Sequence, residues 1–67
     1  MIVRSNLFEL RTLRGMSLPQ LSRRCGVSIS ALNNIENDVT DPKLSTLVAI
    51  ARALRVDVDQ LFTVEKL

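Results

Sequence analysis

The sequence predicts an all-α domain of five short helices, closed by a two-stranded antiparallel ribbon formed by the two ends of the chain. Three observations support this fold class. Apolar residues recur at helical spacing, glycines and polar capping residues divide the chain into short segments, and both ends are β-branched and partly alternating. The 67 residues are enough for one small core, so we expect a single domain over residues 1–67.

The first two helices are defined by their stops and caps. The first covers residues 6–14, and Gly15 supplies the left-handed residue that ends it. The second begins after Ser17, which forms a capping box with Gln20, and Gly26 ends it. Its predicted inner stripe consists of Leu18, Leu21, Ser22 and Cys25.

The third helix, over residues 28–36, has an unusual polar face. Ser28 is its predicted N-cap, and Leu32 and Ile35 point towards the core. Asparagine is a mediocre helix former because its side chain competes for backbone hydrogen bonds, so a row of amides on one face indicates a contact role. The polar face consists of Ser30, Asn33, Asn34 and Asn37.

The last two predicted helices lie in the second half of the chain. A strong amphipathic pattern runs from a start at Asp41-Pro42 to residue 54, and Asp57 with Gln60 begins a fifth helix of one turn. The segments "MIVR" and "FTVEKL" form the predicted ribbon. The inner stripe of the fourth helix consists of Leu44, Leu47, Val48, Ala51 and Leu54.

Composition excludes several classes of chemistry. The chain has no histidine, which removes histidine acid–base catalysis and histidine metal ligands. The single cysteine, Cys25, makes neither an internal disulfide nor a zinc site, and inert packing explains it better than a reactive thiol. We therefore expect no enzyme, no metal and no cofactor. The sequence holds no bilayer-spanning apolar run and no signal segment, so we expect a cytoplasmic protein without a membrane partner.

Charge is unevenly distributed along the chain. Residues 1–32 carry five arginines and one glutamate, a net +4, whereas residues 33–67 carry four basic and six acidic residues, a net −2. This asymmetry fits an anionic partner that approaches the N-terminal half. It also fits a solvated surface, and charge alone favours that simpler interpretation.

The helices over residues 17–25 and 28–36 are joined by "CGVS", the sequence form of a helix-turn-helix unit (17–36). The layout "LRTLRGMSLPQLSRRCGVSISALNNIEN", followed by "DPKLSTLVAIARALRVDVDQLF", resembles the phage repressor and Cro-like (XRE-type) helix-turn-helix family. The resemblance covers residues 6–62, and short members of that family carry terminal strands as well.

The resemblance implies a sequence-specific DNA-binding transcriptional regulator, with a repressor favoured. We expect a homodimer that binds a pseudo-palindromic operator in double-stranded DNA, with helix 28–36 in the major groove. No small-molecule ligand is expected. The base-reading residues are then Ile29, Ser30, Asn33 and Asn34, and the backbone contacts are Ser17, Ser28, Asn37, Lys43 and Arg11. Arg11 and Glu36 form a structural brace, and Val56, Val58 and Leu61 form the dimer interface.

The chain also departs from the family pattern. Leu18 stands where a phosphate-contacting glutamine is common, and Asp38-Val39-Thr40-Asp41 replaces a glycine and basic residues. Phe8 and Leu13 occupy positions that are usually polar, where they either cover the ribbon, as we favour, or mark a contact surface. The acidic loop supports an alternative function, a protein–protein (antirepressor-like) module on the same fold with weak or no DNA binding.

Overall fold

The structure is a computed structural model that describes residues 2–66. Met1 and Leu67, which belong to the predicted ribbon segments, lie outside the described residues. None of the helices within residues 2–66 has the length and apolar character needed to cross a membrane. The elements in chain order are β1 (Ile2–Ser5), α1 (Leu7–Leu13), α2 (Leu18–Cys25), α3 (Ile29–Glu36), α4 (Leu44–Leu54), a 3-10 turn (Val58–Leu61) and β2 (Phe62–Glu65).

The predicted count of five helices is wrong, because residues 2–66 form four α-helices. The fifth predicted helix is the 3-10 turn, in which the Gln60 N–H donates to the Asp57 carbonyl at 3.0 Å. Gln60 Oε1 also accepts from the Asp57 N–H at 2.8 Å, which is one half of the predicted capping box. The helix cannot continue because Phe62 is already extended, with φ −147°, and pairs with β1.

Capping fixes the path of the chain from α2 to α3. The Gln20 N–H donates to Ser17 Oγ while the Ser17 N–H donates to Gln20 Oε1, so the predicted capping box is present. At the other end Gly26 is left-handed, with φ 74°, and Ser28 Oγ accepts from the Ala31 N–H at 3.1 Å. These local bonds set the relative direction of the two helices.

Every α-helix contributes to one apolar core. The five largest fully buried side chains come from all four helices, and Cys25 packs against this core from its edge. Burial of a leucine contributes about 1.5–3 kcal/mol, so the core supplies most of the stabilising free energy. The fully buried side chains are Leu7, Leu21, Leu32, Ile50 and Leu54.

The start of α4 differs from the prediction. The helix begins at Leu44 after an extended Lys43, with ψ 151°, and Asp41-Pro42 remains in the loop. Proline disfavours the helical conformation of the residue that precedes it, which explains why Asp41, before Pro42, is not helical. As the first helical residue, Leu44 points into solvent and is 71% exposed, so its predicted place on the inner stripe is wrong.

The predicted terminal ribbon is present. β1 and β2 pair antiparallel, with Ile2 opposite Glu65 and Ser5 opposite Phe62. Next to β1, the Asn6 N–H donates to the Leu61 carbonyl at 2.8 Å and the Asn6 amide donates to Thr63 Oγ1 at 3.0 Å. The two ends of the described chain are therefore fastened to each other beside α1.

Candidate nucleic-acid interface

A charged pair between α1 and α3 holds α3 at the protein surface. Arg11 Nη2 donates to Glu36 Oε1 at 3.1 Å, and Arg11 Nε donates to the other carboxylate oxygen. Arg11 Nη1 donates to the Met16 carbonyl at 3.0 Å, and the Arg11 and Glu36 side chains are 16% and 7% exposed. The hydrogen bond to Glu36 raises the pKa of Arg11; burial lowers it, and the charge of Glu36 adds to the rise. The structure thus brings the two predicted brace residues together.

The outer surface of α3 carries the four predicted base-reading residues, and we call it the reading face: Ile29, Ser30, Asn33 and Asn34. Three of them are exposed and Asn34 is half-buried. The opposite side of α3 places Leu32 and Ile35 in the core. The brace and this apolar anchor therefore hold α3 with its reading face towards the outside of the domain.

The three asparagines of α3 differ in what their amides can still bind. The Asn37 amide nitrogen donates to the Asn33 carbonyl at 2.9 Å and to Asn33 Oδ1 at 3.3 Å. The Asn37 oxygen has no hydrogen to offer a phosphate, which only accepts, so a phosphate contact would have to compete for this nitrogen. The side chain of Asn34 forms no hydrogen bond within residues 2–66. Asn34 thus presents a complete amide, whereas the Asn37 amide nitrogen already has partners on α3.

The starts of α2 and α3 offer backbone donors near Ser17 and Ser28. The capping serines engage the third N–H group of each helix, from Gln20 and Ala31. Among the described residues, the N–H groups of Leu18, Ile29 and Ser30 have no partner. Free N–H groups at a helix start attract anions. Ser17 and Ser28 themselves are exposed, so both helix starts are open to a phosphate.

The acidic loop after α3 is tied to the ribbon. Asp38 is left-handed, with φ 57°, and its Oδ1 accepts from the Ser5 N–H at 2.8 Å. The sequence did not reveal this bond, although aspartate after a helix end tolerates that conformation. Asp41 and Lys43 are exposed, and Lys43 has no salt bridge in the described part of the chain. Of the two carboxylates in the acidic loop, that of Asp38 therefore has a structural role.

The predicted dimer surface changes in one position. Leu61 is 3% exposed and belongs to the core, so its side chain is not a surface contact. Val56 and Val58 are half-buried and pack against the rim of the core. Phe8 and Leu13 are 53% and 78% exposed, and the Arg11 guanidinium lies 5.2 Å from the centre of the Phe8 ring.

Two short helices that meet at a left-handed glycine, with an exposed polar face on the second, define a helix-turn-helix domain of the DNA-binding class. The helix-turn-helix family model matches residues 7–61. The chain belongs to that family, in its XRE-type branch, and the resemblance seen in the sequence is confirmed. The family is one of DNA-binding transcription regulators. No curated protein matches the chain.

Proposed function

We propose that this protein is a sequence-specific transcriptional repressor that binds a pseudo-palindromic operator as a homodimer, with α3 in the major groove. The observation that carries the proposal is the reading face: an unengaged Asn34 amide beside Ser30 and Ile29, on a helix held by the Arg11–Glu36 pair. We expect the protein to act in the cytoplasm, where its operator DNA is located.

Each reading-face residue has a base-edge chemistry. The Asn34 amide can donate to N7 and accept from the N6 amino group of one adenine. Ser30 can bond several base edges, and Ile29 can contact a thymine methyl group. Asn33 keeps its amide donors although its oxygen already accepts from Asn37. Phosphates are then held by the open N–H groups at the starts of α2 and α3, and by Lys43.

The homodimer follows from the small size of one reading face. A single recognition helix contacts only a few base pairs, and two copies related by a two-fold axis read sites about 34 Å apart. Val56 and Val58 are the candidate contact residues, because both are apolar and partly exposed. The acidic loop favours the alternative protein–protein module less than its sequence suggests, since Asp38 bonds to β1.

A binding titration tests the proposal. The purified protein is titrated against DNA from upstream of its own gene, with and without excess nonspecific competitor. We expect binding that survives the competitor. Asn34→Ala should then lose about 1–3 kcal/mol of discrimination at one base pair in each half-site, because the bidentate contact disappears.

Asn37→Ala is the matched control, since it removes an amide at the end of the same helix whose nitrogen already donates to Asn33. We expect it to change affinity for operator and random DNA by one common small factor. Equal losses on operator and random DNA in Asn34→Ala would show that the reading face contacts only the DNA backbone. Competitor-sensitive binding in the native protein would contradict sequence-specific recognition altogether.

A further inference from the structure

A second surface of the domain gathers four arginines around one groove, which we call the arginine groove. Arg14, Arg23, Arg24 and Arg55 line it, and the groove encloses about 710 Å³. The arginines come from three places in the fold: just after α1, the last turn of α2 and the end of α4. No residue of α3 lines the groove, so it is separate from the reading face.

The groove concentrates positive charge that the described chain does not neutralise. Within residues 2–66 none of its four arginines forms a salt bridge, and no acidic residue lines it. Arg23 and Arg24 also interact favourably with the C-terminal end of the α2 dipole. That interaction accounts for these two arginines, but not for the arginines from other elements that lie beside them. Arg14 is held in place, since its Nε donates to the Leu54 carbonyl at 2.8 Å. Its Nη groups remain for a ligand.

Arg55 occupies a backbone position that disfavours it. The residue caps α4 in the left-handed region, with φ 58°, where glycine is the usual choice. A residue with a side chain is strained in this conformation, which slightly destabilises the folded protein when no ligand is bound. Strain of this kind is concentrated at functional sites. Here the strained residue places a fourth cation on the rim of the groove.

The lining indicates the chemistry of the ligand. Arginine forks match the planar geometry of carboxylates and phosphates. No aromatic side chain lines the groove, which disfavours a nucleotide base, and Met16 and Ala53 provide its accessible aliphatic surface, since the Leu54 side chain is fully buried. An acidic peptide offers both carboxylates and aliphatic side chains, whereas a DNA backbone offers charge without aliphatic groups of that size.

We propose that the arginine groove binds an acidic peptide segment of a protein partner, at a surface separate from the one that reads DNA. The test is fluorescence anisotropy with a labelled peptide, EELEELEE, and its uncharged twin QQLQQLQQ. The charged peptide binds and the twin does not. Arg23→Gln with Arg24→Gln lowers peptide affinity about tenfold while leaving DNA affinity unchanged, since two exposed charge contacts are lost.

Two further variants make the test specific. Arg4→Gln with Arg52→Gln removes the same charge outside the groove and leaves peptide affinity unchanged. Arg55→Gly weakens peptide binding about threefold and raises the melting temperature, which separates lost binding from lost folding. Absent binding of EELEELEE, or equal binding of its twin, overturns the proposal. Displacement of the peptide by duplex DNA, with equal loss of both affinities in the Arg23/Arg24 variant, assigns the groove to the DNA backbone instead.

Discussion

At the scale of single residues, the Arg11–Glu36 pair connects the fold to the reading face. Its geometry is bidentate, it joins α1 to α3, and only 7% of the Glu36 side chain is exposed. Because the pKa of Arg11 is raised, the stability that its charge contributes is present below the ordinary pKa of arginine and is lost as the pH rises through the raised value. The Arg11 side of the brace is therefore charged at neutral pH.

Glu36→Ala should lower the free energy of unfolding by about 3 kcal/mol, because the Arg11 guanidinium is left without its carboxylate in a mostly buried site. Glu65→Ala is the matched control. Glu65 pairs with Arg4 at 3.0 Å but both side chains are about half exposed, and such pairs contribute at most about 1 kcal/mol. Urea denaturation measures both variants. Similar losses in the two would mean that the brace adds nothing beyond a surface ion pair.

At the scale of elements, sequence patterns correctly predicted the helix caps and stops that depend on neighbouring residues. The capping box at Ser17, the cap at Ser28 and the stop at Gly26 are local, and all three are present. Among features that depend on distant partners, only the terminal ribbon and, through the family resemblance, the Arg11–Glu36 pair were predicted; the others were missed. The bond from Asp38 to Ser5 joins residues far apart in the chain, and the arginine groove assembles side chains from three separate elements. The buried Leu61 was misassigned for the same reason, since its place in the core depends on tertiary packing.

The turn between α2 and α3 gives a prediction at this scale. Gly26→Ala should destabilise the fold by about 1 kcal/mol, because alanine disfavours the left-handed backbone, although no heavy atom beyond the adjacent residues lies within 4 Å of the added methyl group. Gly15→Ala is the matched control, with φ 67° and equally open space. We expect similar losses in thermal unfolding for both, but reduced operator affinity for Gly26→Ala alone. A loss of operator affinity in both variants would show that the loss does not arise from the orientation of α3.

At the scale of the whole molecule, a chain of this size is only marginally stable alone and gains from association. In the proposed homodimer the apolar side chain of Val58 is covered. Val58→Asp should therefore dissociate the dimer and lower operator affinity in parallel. Sedimentation measures the first effect and DNA titration the second. A native protein that binds operator tightly as a stable monomer would contradict the proposed assembly.

The dependence of DNA affinity on salt is a second property of the whole assembly. Each neutralised phosphate contributes about −0.9 to the slope of log K against log salt concentration. The sequence alone suggests Arg11 and Lys43 as the main cations near the DNA, which gives a slope of about −3 to −4 for a dimer. Glu36 compensates Arg11, so we expect a shallower slope of about −2. A slope steeper than about −8 would show that arginines elsewhere contact phosphate.

The terminal ribbon has a consequence for synthesis on the ribosome. Ile2 is made 63 residues before its partner Glu65 (65 − 2), so the pairing closes a loop that contains all four helices. Closing so long a loop is slow compared with forming helical turns, and the helices emerge while β1 still has no partner. Nascent β1 therefore exposes an unpaired strand edge until β2 has been made. In that interval Arg4, a charged residue in the middle of the strand, limits pairing with β1 strands of neighbouring nascent chains on the same messenger RNA.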